Sequence, residues 1–329
     1  MGTVTIESSH WHPVLAADAL AADAPRAVRL LGDDLVLWRD ANGAAQAWAD
    51  RCPHRGTRLS LGRVVQGADG ARLECPYHGW QFAASGQCVA IPALPEFTPP
   101  AAHRACTFEA REAHGLVWVR MAQSDAALPA FEAEHDLRLR KLLCGPYTVE
   151  TSAPRIVENF LDMAHFAFVH EGWLGDRAHA AQAGYRFEAT AAGFVASGCR
   201  AWQPQSNRLS EQGSMVEYRY ELTGPFSAVL TKLPEAQGGY RDEIGLFVCP
   251  QEHERSIVWF RLAVTDTVSS DAELRAFQDT IFTQDRPVLE SQSPKRLPLR
   301  SGELHPAADR SSAAYRRLLV ERGISFGVC

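Results

Sequence analysis

Two short loops, each with one cysteine and one histidine, constrain this chain more than any other feature. RCPHRG occupies residues 51–56 and CPYHGW occupies residues 75–80. Proline and glycine in both loops favour tight turns, which direct neighbouring side chains towards one point. Two thiolates and two imidazoles can meet there, from Cys52, His54, Cys75 and His78. Matched loops of this kind are rare by chance, so the sequence predicts a metal centre.

Two kinds of metal centre use two cysteines and two histidines. A structural zinc ion is one, but zinc sites usually place like ligands close together, and here each loop pairs unlike ligands. A [2Fe–2S] centre of Rieske type is the other, with two cysteines on one iron and two histidines on the second. The spacing favours the iron–sulfur centre, and zinc remains the alternative.

A second feature is the apolar run ENFLDMAHFAFVH at residues 158–170. Its composition predicts a buried helix over residues 156–169. Polar side chains on such a helix need partners, and four of them share one stripe: Glu158, Asn159, Asp162 and His165. His165 and His170 are five residues apart, so they converge only if the helix bends or ends between them. The plainer alternative is a pair of satisfied core histidines with a capped acid.

Two histidines need one carboxylate to complete a 2-His-1-carboxylate site for Fe(II). Ser270 and Glu273 form a capping-box pattern, which predicts the start of a helix. Its apolar residues recur at helical spacing: Leu274, Phe277, Ile281, Val288 and Leu289. On this helix Asp285 falls within the apolar face and Asp279 falls opposite it. An acid on the core face needs a reason, so Asp285 is the predicted third ligand.

Together these motifs resemble the Rieske non-haem iron aromatic oxygenases. The resemblance is to the α-subunits (terminal oxygenases) of the group that includes vanillate and dicamba O-demethylases and phenoxybenzoate dioxygenase. It covers essentially the whole chain, and it depends on the two Cys-His loops and on Asn-x-x-Asp-x-x-His-x₄-His, followed by a distant carboxylate. It implies a [2Fe–2S] cluster and a mononuclear Fe(II). The implied cluster ligands are Cys52 and Cys75 on one iron, and His54 and His78 on the other. The implied Fe(II) ligands are His165, His170 and Asp285.

The resemblance also implies roles beyond the ligands. Asp162 would join His78 of one subunit to His165 of its neighbour in a ring-shaped homotrimer, and so carry electrons between subunits. The plainer interpretation of Asp162 is an acid bonded to backbone. His54 would be the more solvent-facing cluster ligand, and Asn159 would belong to the surroundings of the Fe(II).

The fold predicted from these patterns is α+β. Strand-like runs fill residues 10–120 around a DANG hairpin turn, and further alternating runs include MVEYRYEL and RSIVWFRLAV. We expect a β-rich Rieske domain over residues 1–125, an interdomain crossing over 126–147 and a catalytic domain over 148–329. The resemblance gives the catalytic domain an antiparallel sheet with helices, of helix-grip type.

Composition excludes several classes of function. The net charge of −6 and the lack of a Lys/Arg-rich run argue against a nucleic-acid partner. No apolar run reaches the length of a membrane helix, and MGTVTIESSHWHP has no features of a secretory signal. The eight cysteines are scattered, which is typical of a protein in the reducing cytoplasm.

The resulting prediction is a terminal oxygenase that uses O2 to hydroxylate or oxidatively demethylate a small aromatic substrate. The sequence has neither a nucleotide-binding glycine-rich loop nor a second cysteine cluster, so a separate NAD(P)H-dependent flavin/[2Fe–2S] reductase is expected. The alternatives are ring dihydroxylation of an aromatic acid, a Rieske electron carrier without oxygenase activity, and a zinc-stabilised binding module. Lys232, Arg200 and Arg208 are candidate anchors for a substrate carboxylate or sulfonate, although each is more typical of a surface charge.

Overall fold

A computed structural model describes residues 5–68, 70–300 and 302–329. The chain divides into two units, Met1–Leu128 and Pro129–Cys329. The N-terminal stretch that has no features of a secretory signal is residues 1–13. Its first four residues lie outside the described part of the chain. Among the described residues, no helix combines the length and the apolar character needed to cross a membrane.

The described residues of the first unit form two antiparallel sheets. The larger has the strand order β1-β10-β9-β4-β3-β2 and the smaller has the order β5-β6-β7-β8. Their bounds are β1 His12–Ala16, β2 Arg26–Leu30, β3 Asp33–Arg39, β4 Ala45–Ala49, β5 Arg63–Gly67, β6 Gly70–Glu74, β7 Gln81–Phe82, β8 Cys88–Ala90, β9 Thr107–Ala113 and β10 Leu116–Arg120. The predicted β-rich N-terminal unit is confirmed.

The DANG turn joins β3 to β4 as predicted. Arg39 lies opposite Ala45 across the hairpin. The Asp40 carboxylate accepts hydrogen bonds from the amides of Asn42 and Ala44, at 2.9 and 3.0 Å. This side chain therefore replaces backbone partners that the turn cannot supply.

Where it is described, the second unit holds one seven-stranded antiparallel sheet and four α-helices, which confirms the α+β prediction. The strand order is β11-β17-β16-β15-β14-β13-β12. The strands are β11 Arg140–Val149, β12 Arg186–Ala189, β13 Phe194–Gln203, β14 Ser214–Gly224, β15 Ser227–Pro234, β16 Asp242–Glu252 and β17 Arg255–Val264. The helices are α1 Ala153–Leu161, α2 Phe166–Val169, α3 Asp271–Ser291 and α4 Arg310–Glu321. The expected crossing, residues 126–147, extends into β11.

Helix α1 packs on β15 and β16, and α3 packs on β11. The predicted capping box at the start of α3 is present, with Ser270 and Glu273 each bonded to the other's backbone amide. The prediction is wrong for one residue of the apolar face, Val288, whose side chain is 41% exposed. The rest of that face brings α3 against the sheet and α1, where the second unit has its main apolar core.

The predicted single helix over residues 156–169 is wrong. Helix α1 ends at Leu161, and the one-turn helix α2 begins at Phe166. The Asp162 carboxylate accepts from the amides of Ala164 and His165, at 2.9 and 3.2 Å. These local bonds compete with helical ones and turn the chain. A first break therefore lies before His165, and α2 then ends at Val169, between His165 and His170, as their convergence requires.

Candidate metal centres

The two Cys-His loops of the first unit have the same backbone design. In each loop the amide of a glycine donates to the cysteine carbonyl four residues earlier, at 2.9 Å for Gly56 and 3.0 Å for Gly79. Each cysteine amide in turn donates to the carbonyl five residues later, at 2.8 Å for both Cys52 and Cys75. Both glycines have positive φ, 73° and 67°. Glycine adopts this conformation without strain, which explains why a glycine follows the histidine in each motif.

The side chains of the two loops converge. Cys52 and Cys75 are buried, and their thiols contact each other. The His54 and His78 rings lie 4.6 Å apart between centroids. Burial raises the pKa of Cys52 to about 12, and the neighbouring thiol adds to the shift. A buried thiol with a raised pKa stays protonated unless a cationic metal stabilises its thiolate, so two converging cysteines and two histidines fit an iron–sulfur cluster.

The two histidines differ in their exposure within the single chain. His54 stacks on Trp80, with ring centroids 4.4 Å apart and planes 5° apart, and is half-buried. His78 is exposed in the single chain. Trp80 thus covers His54 within the chain, and the expectation that His54 is the more solvent-facing ligand in a trimer, where a neighbour would cover His78, stays a prediction.

A second cluster lies in the second unit, where α2 meets α3. His165 and His170 flank α2, and Asp285 lies on α3. The two Nε2 atoms are 3.2 Å apart, and Asp285 Oδ1 is 3.5 and 3.3 Å from them. Ligand atoms about 2.1 Å from one metal, at an angle of about 100°, lie about 3.2 Å apart, so the spacing fits one ion.

Hydrogen bonds at the outer nitrogens fix the tautomers of both histidines. His165 Nδ1–H donates to the Asp162 carboxylate at 3.0 Å, and His170 Nδ1–H donates to Gln284 Oε1 at 2.8 Å. Each Nε2 is then left with a lone pair. Two lone pairs and a carboxylate oxygen repel one another at this distance unless a cation lies between them. The donor set is that of a 2-His-1-carboxylate iron site.

Gln284 is the residue at this site that the sequence patterns did not reveal. It precedes Asp285 in α3, and nothing in its spacing marks it as a partner of a histidine that lies 114 residues away. Only the packing of α3 beside α2 brings the two side chains together.

The other polar residues of the apolar segment have different roles. Asn159 Nδ2 donates to Asp285 Oδ1 at 3.4 Å, which places Asn159 beside the predicted ligand. Glu158 instead forms an ion pair with Arg316, at 2.5 and 2.7 Å, and does not join the ligand group. Asp279 is exposed and accepts from the Tyr147 hydroxyl, whereas Asp285 is buried, as the helical pattern predicts.

The charge of Asp162 depends on its hydrogen bonds. Burial alone would raise the pKa of this carboxyl. The His165 ring and the amides of Ala164 and His165 donate to it and together hold the pKa below its ordinary value. Asp162 is therefore an anion that orients His165 through Nδ1.

The ligand group opens onto a cavity between the helices and the sheet. Aromatic side chains form much of its wall: Phe160, Phe166, Phe260, Phe277 and Phe282. Besides the ligand group, five polar side chains interrupt the apolar lining: Asn159, Tyr218, Tyr220, Lys232 and Gln278. Such a lining suits a flat, largely apolar molecule with few polar groups.

The three basic side chains named as candidate anchors separate in the structure. Arg200 and Arg208 form exposed ion pairs with Glu235 and Glu273. Lys232 is 5% exposed and lines the cavity. The expectation of a surface charge is therefore wrong for Lys232, because its strand faces the core at this position.

Two family models match the chain. Residues 10–108 match the Rieske [2Fe-2S] domain, and residues 149–322 match the vanillate O-demethylase oxygenase C-terminal domain. The two matches include both Cys-His loops and the three-ligand cluster.

Individual proteins resemble the chain over nearly its full length. Methylxanthine N1-demethylase NdmA of Pseudomonas putida is 33% identical over 94% of this chain and 88% of its own. The oxygenase component of chloroacetanilide N-alkylformylase from Rhizorhabdus wittichii is 29% identical over 94% of this chain and 93% of its own. The solved structure of Pseudomonas putida NdmA with caffeine has a TM-score of 0.84 at 31% identity, and the match covers 96% of this chain and 91% of that one.

Proposed function

The chain belongs to the Rieske non-haem iron oxygenases, and we propose that it oxidatively removes a methyl group from an N-methylated aromatic heterocycle. As a terminal oxygenase it uses O2 at a mononuclear iron, with electrons relayed by a Rieske cluster. A separate reductase supplies the electrons. We propose that the bond oxidised is a C–H bond of an N-methyl group and that the substrate is an aromatic heterocycle.

One observation carries the proposal: a three-ligand cluster in the wall of a cavity lined by aromatic rings. A flat heterocycle fits between such rings, and a methyl group on its edge can point towards the ligands. The similarity to a methylxanthine N-demethylase over most of both chains supports a heterocyclic substrate. An electron carrier does not need a second group of three converging ligands beside a cavity, so this group favours an oxygenase.

We assign the ligands as the sequence predicts. Cys52, Cys75, His54 and His78 would hold the cluster, and His165, His170 and Asp285 would hold the Fe(II). When bound, the cluster would deliver single electrons and the Fe(II) would activate O2. Asp162 and Gln284 orient the two histidines, and Asn159 donates to the ligand carboxylate. The aromatic walls keep water from the methyl group.

The reaction balances with one O2, two electrons and two protons. One oxygen atom enters a methyl C–H bond and the other leaves as water. The resulting N–CH2OH group breaks its C–N bond, which releases formaldehyde and leaves N–H on the ring. The two electrons come from the reductase.

We further propose a homotrimer in which Asp162 of one subunit meets His78 of the next. The exposure of His78 in the single chain supports this, because an exposed ligand can reach a neighbour. The negative charge and position of Asp162 beside His165 support its side of the contact. Residues 1–125 and 148–329 would be the two domains, joined by residues 126–147.

A cytoplasmic location is part of the same proposal. The six cysteines outside the metal-centre loops are free thiols, and four of them are buried: Cys88, Cys144, Cys199 and Cys249. A reducing compartment maintains thiols in that state.

A single-turnover experiment tests the proposed reaction. Protein loaded with iron and sulfide is reduced with dithionite, freed of reductant and exposed to O2 with caffeine, theobromine or N-methyl-2-pyridone. We expect about one formaldehyde per active site from at least one of these compounds. A ring-hydroxylated product without formaldehyde would overturn the proposal in favour of hydroxylation.

A further inference from the structure

The sheet side of the cavity carries one cationic side chain. Lys232 lies on β15, between Tyr218 on β14 and Asp242 on β16 in the strand register. Its side chain is buried and lines the same cavity as the three metal ligands. The metal ligands come from the helices, so the cavity has a metal side and an ammonium side.

The ammonium group of Lys232 has unused hydrogen-bonding capacity. It has three N–H donors, and within the described residues its one hydrogen-bond acceptor is the Ser206 carbonyl. The Tyr218 ring centroid is 6.0 Å away and adds a weak attraction. A buried ammonium with unsatisfied donors is costly unless a ligand or water accepts from it. The cavity is where such a ligand can bind.

The charge around Lys232 indicates what kind of acceptor fits. Asp242 is buried opposite Lys232 across the strand pair. Within the described chain no carboxylate oxygen lies within ion-pair distance of the ammonium, but the charge of Asp242 balances it across the sheet. A substrate carboxylate would add a second buried anion near Asp242. A neutral carbonyl accepts a hydrogen bond without changing this balance.

We propose that Lys232 is a specificity-determining residue, whose ammonium donates to a carbonyl oxygen on the ring of a neutral substrate. This inference rests on the proposed N-demethylation and names the polar group that the heterocycle must carry. With the carbonyl held at the sheet, the opposite edge of the ring faces the helices that bear the metal ligands. Lys232 would thereby select both the substrate and the methyl group that reacts.

Two variants and one control test the role of Lys232. Lys232→Met removes the donors and keeps the length of the side chain. The double variant Lys232→Met/Asp242→Asn also removes the opposite charge, so that no uncompensated buried anion remains if the single variant folds poorly. Arg200→Met is the control, because Arg200 forms an exposed ion pair outside the cavity. Iron content and the visible spectrum of the cluster verify that each protein is loaded.

Three probes separate a carbonyl from other anchors. Caffeine carries ring carbonyls, 7-methylpurine is a neutral analogue without them, and 4-methoxybenzoate carries a carboxylate. Anaerobic calorimetric titration gives the dissociation constants. In wild type we expect caffeine to bind at least about tenfold more tightly than 7-methylpurine. In both Lys232 variants its dissociation constant should rise about 10- to 100-fold, while that of 7-methylpurine changes less than about threefold. Arg200→Met should match wild type.

The outcomes distinguish this inference from the proposed reaction. The role of Lys232 is overturned if caffeine binds equally well to wild type and to both Lys232 variants. It is also overturned if the loaded wild type does not bind caffeine. Both conclusions hold even if another N-methyl compound yields formaldehyde. If the Lys232 variants lose more affinity for 4-methoxybenzoate than for caffeine, the proposed role is also overturned, and Lys232 instead anchors a carboxylate. If caffeine binds in a Lys232-dependent way but no N-methyl compound releases formaldehyde, the proposed reaction fails and the carbonyl contact stands.

Discussion

The Nδ1 atom of His170 lies 2.8 Å from Oε1 of Gln284, and Gln284 immediately precedes Asp285 in α3. One turn of helix thus supplies both the carboxylate that we propose as a metal ligand and the acceptor that orients a second proposed ligand. The Gln284 amide oxygen holds the proton of His170 on Nδ1 and leaves Nε2 free for the metal.

Removing this acceptor should weaken the mononuclear iron site. Gln284→Leu is expected to lower the affinity for Fe(II) about 10- to 100-fold, because His170 loses the bond that fixes its tautomer. Gln284→Glu keeps an acceptor at the same place and should retain most of the affinity. Fe(II) titration of protein whose mononuclear site has been emptied by a chelator measures both. Equal loss in the two variants would contradict an orienting role.

The two acids in the middle of α3 should behave differently. Asp285→Ala is expected to lose the mononuclear iron, so that about two irons and two sulfides remain per chain and the Rieske spectrum persists. Asp279→Ala changes an exposed acid on the same helix and should retain about three irons. Metal and acid-labile sulfide analysis gives the counts. Loss of the cluster spectrum in Asp285→Ala would show that the ligand assignment is wrong.

Asp162 should matter for turnover more than for metal content. Asp162→Asn keeps an oxygen that can accept from the backbone amides and from His165, so both centres should stay loaded. Loss of the negative charge should slow steady-state turnover about 10- to 100-fold. If iron content is retained and turnover is also unchanged, neither electron transfer between subunits nor the positioning of His165 depends on this carboxylate.

A buried histidine in the first unit should make stability depend on pH. Burial lowers the pKa of His12 to about 4, although its Nε2–H donates to the Glu7 carbonyl at 2.8 Å. Between pH 6.5 and 4 the unfolded state therefore binds more protons than the folded state, and acid destabilises the fold. From pH 7 to pH 5 the free energy of unfolding should fall by about 2 kcal/mol through this one group.

The variant His12→Gln keeps a donor for the Glu7 carbonyl and cannot titrate. The difference in thermal midpoint between pH 7 and pH 5 should therefore be smaller in the variant than in wild type, by roughly 5 °C. Equal acid sensitivity in both proteins would mean that other groups control it.

Several parts of the site could be predicted because they depend on neighbours in the chain. The turns of the two Cys-His loops are formed by residues within each loop, and Gly56 and Gly79 have positive φ in them. The burial of Asp285 follows from the helical period of α3 alone. The break at Asp162 was not predicted, since the pattern of apolar residues continues across it and only the competing side-chain bonds reveal it.

The sequence by itself determined which residues are candidates to bind iron, and on which local turns and helix faces they lie. Tertiary structure decided the surroundings of those residues. It brought Gln284 to a histidine 114 residues away, stacked Trp80 on His54, and buried Lys232 in the wall of the cavity. The reason is physical: turns and helical faces arise from bonds between near neighbours, whereas these contacts arise from packing distant segments, which no local spacing encodes.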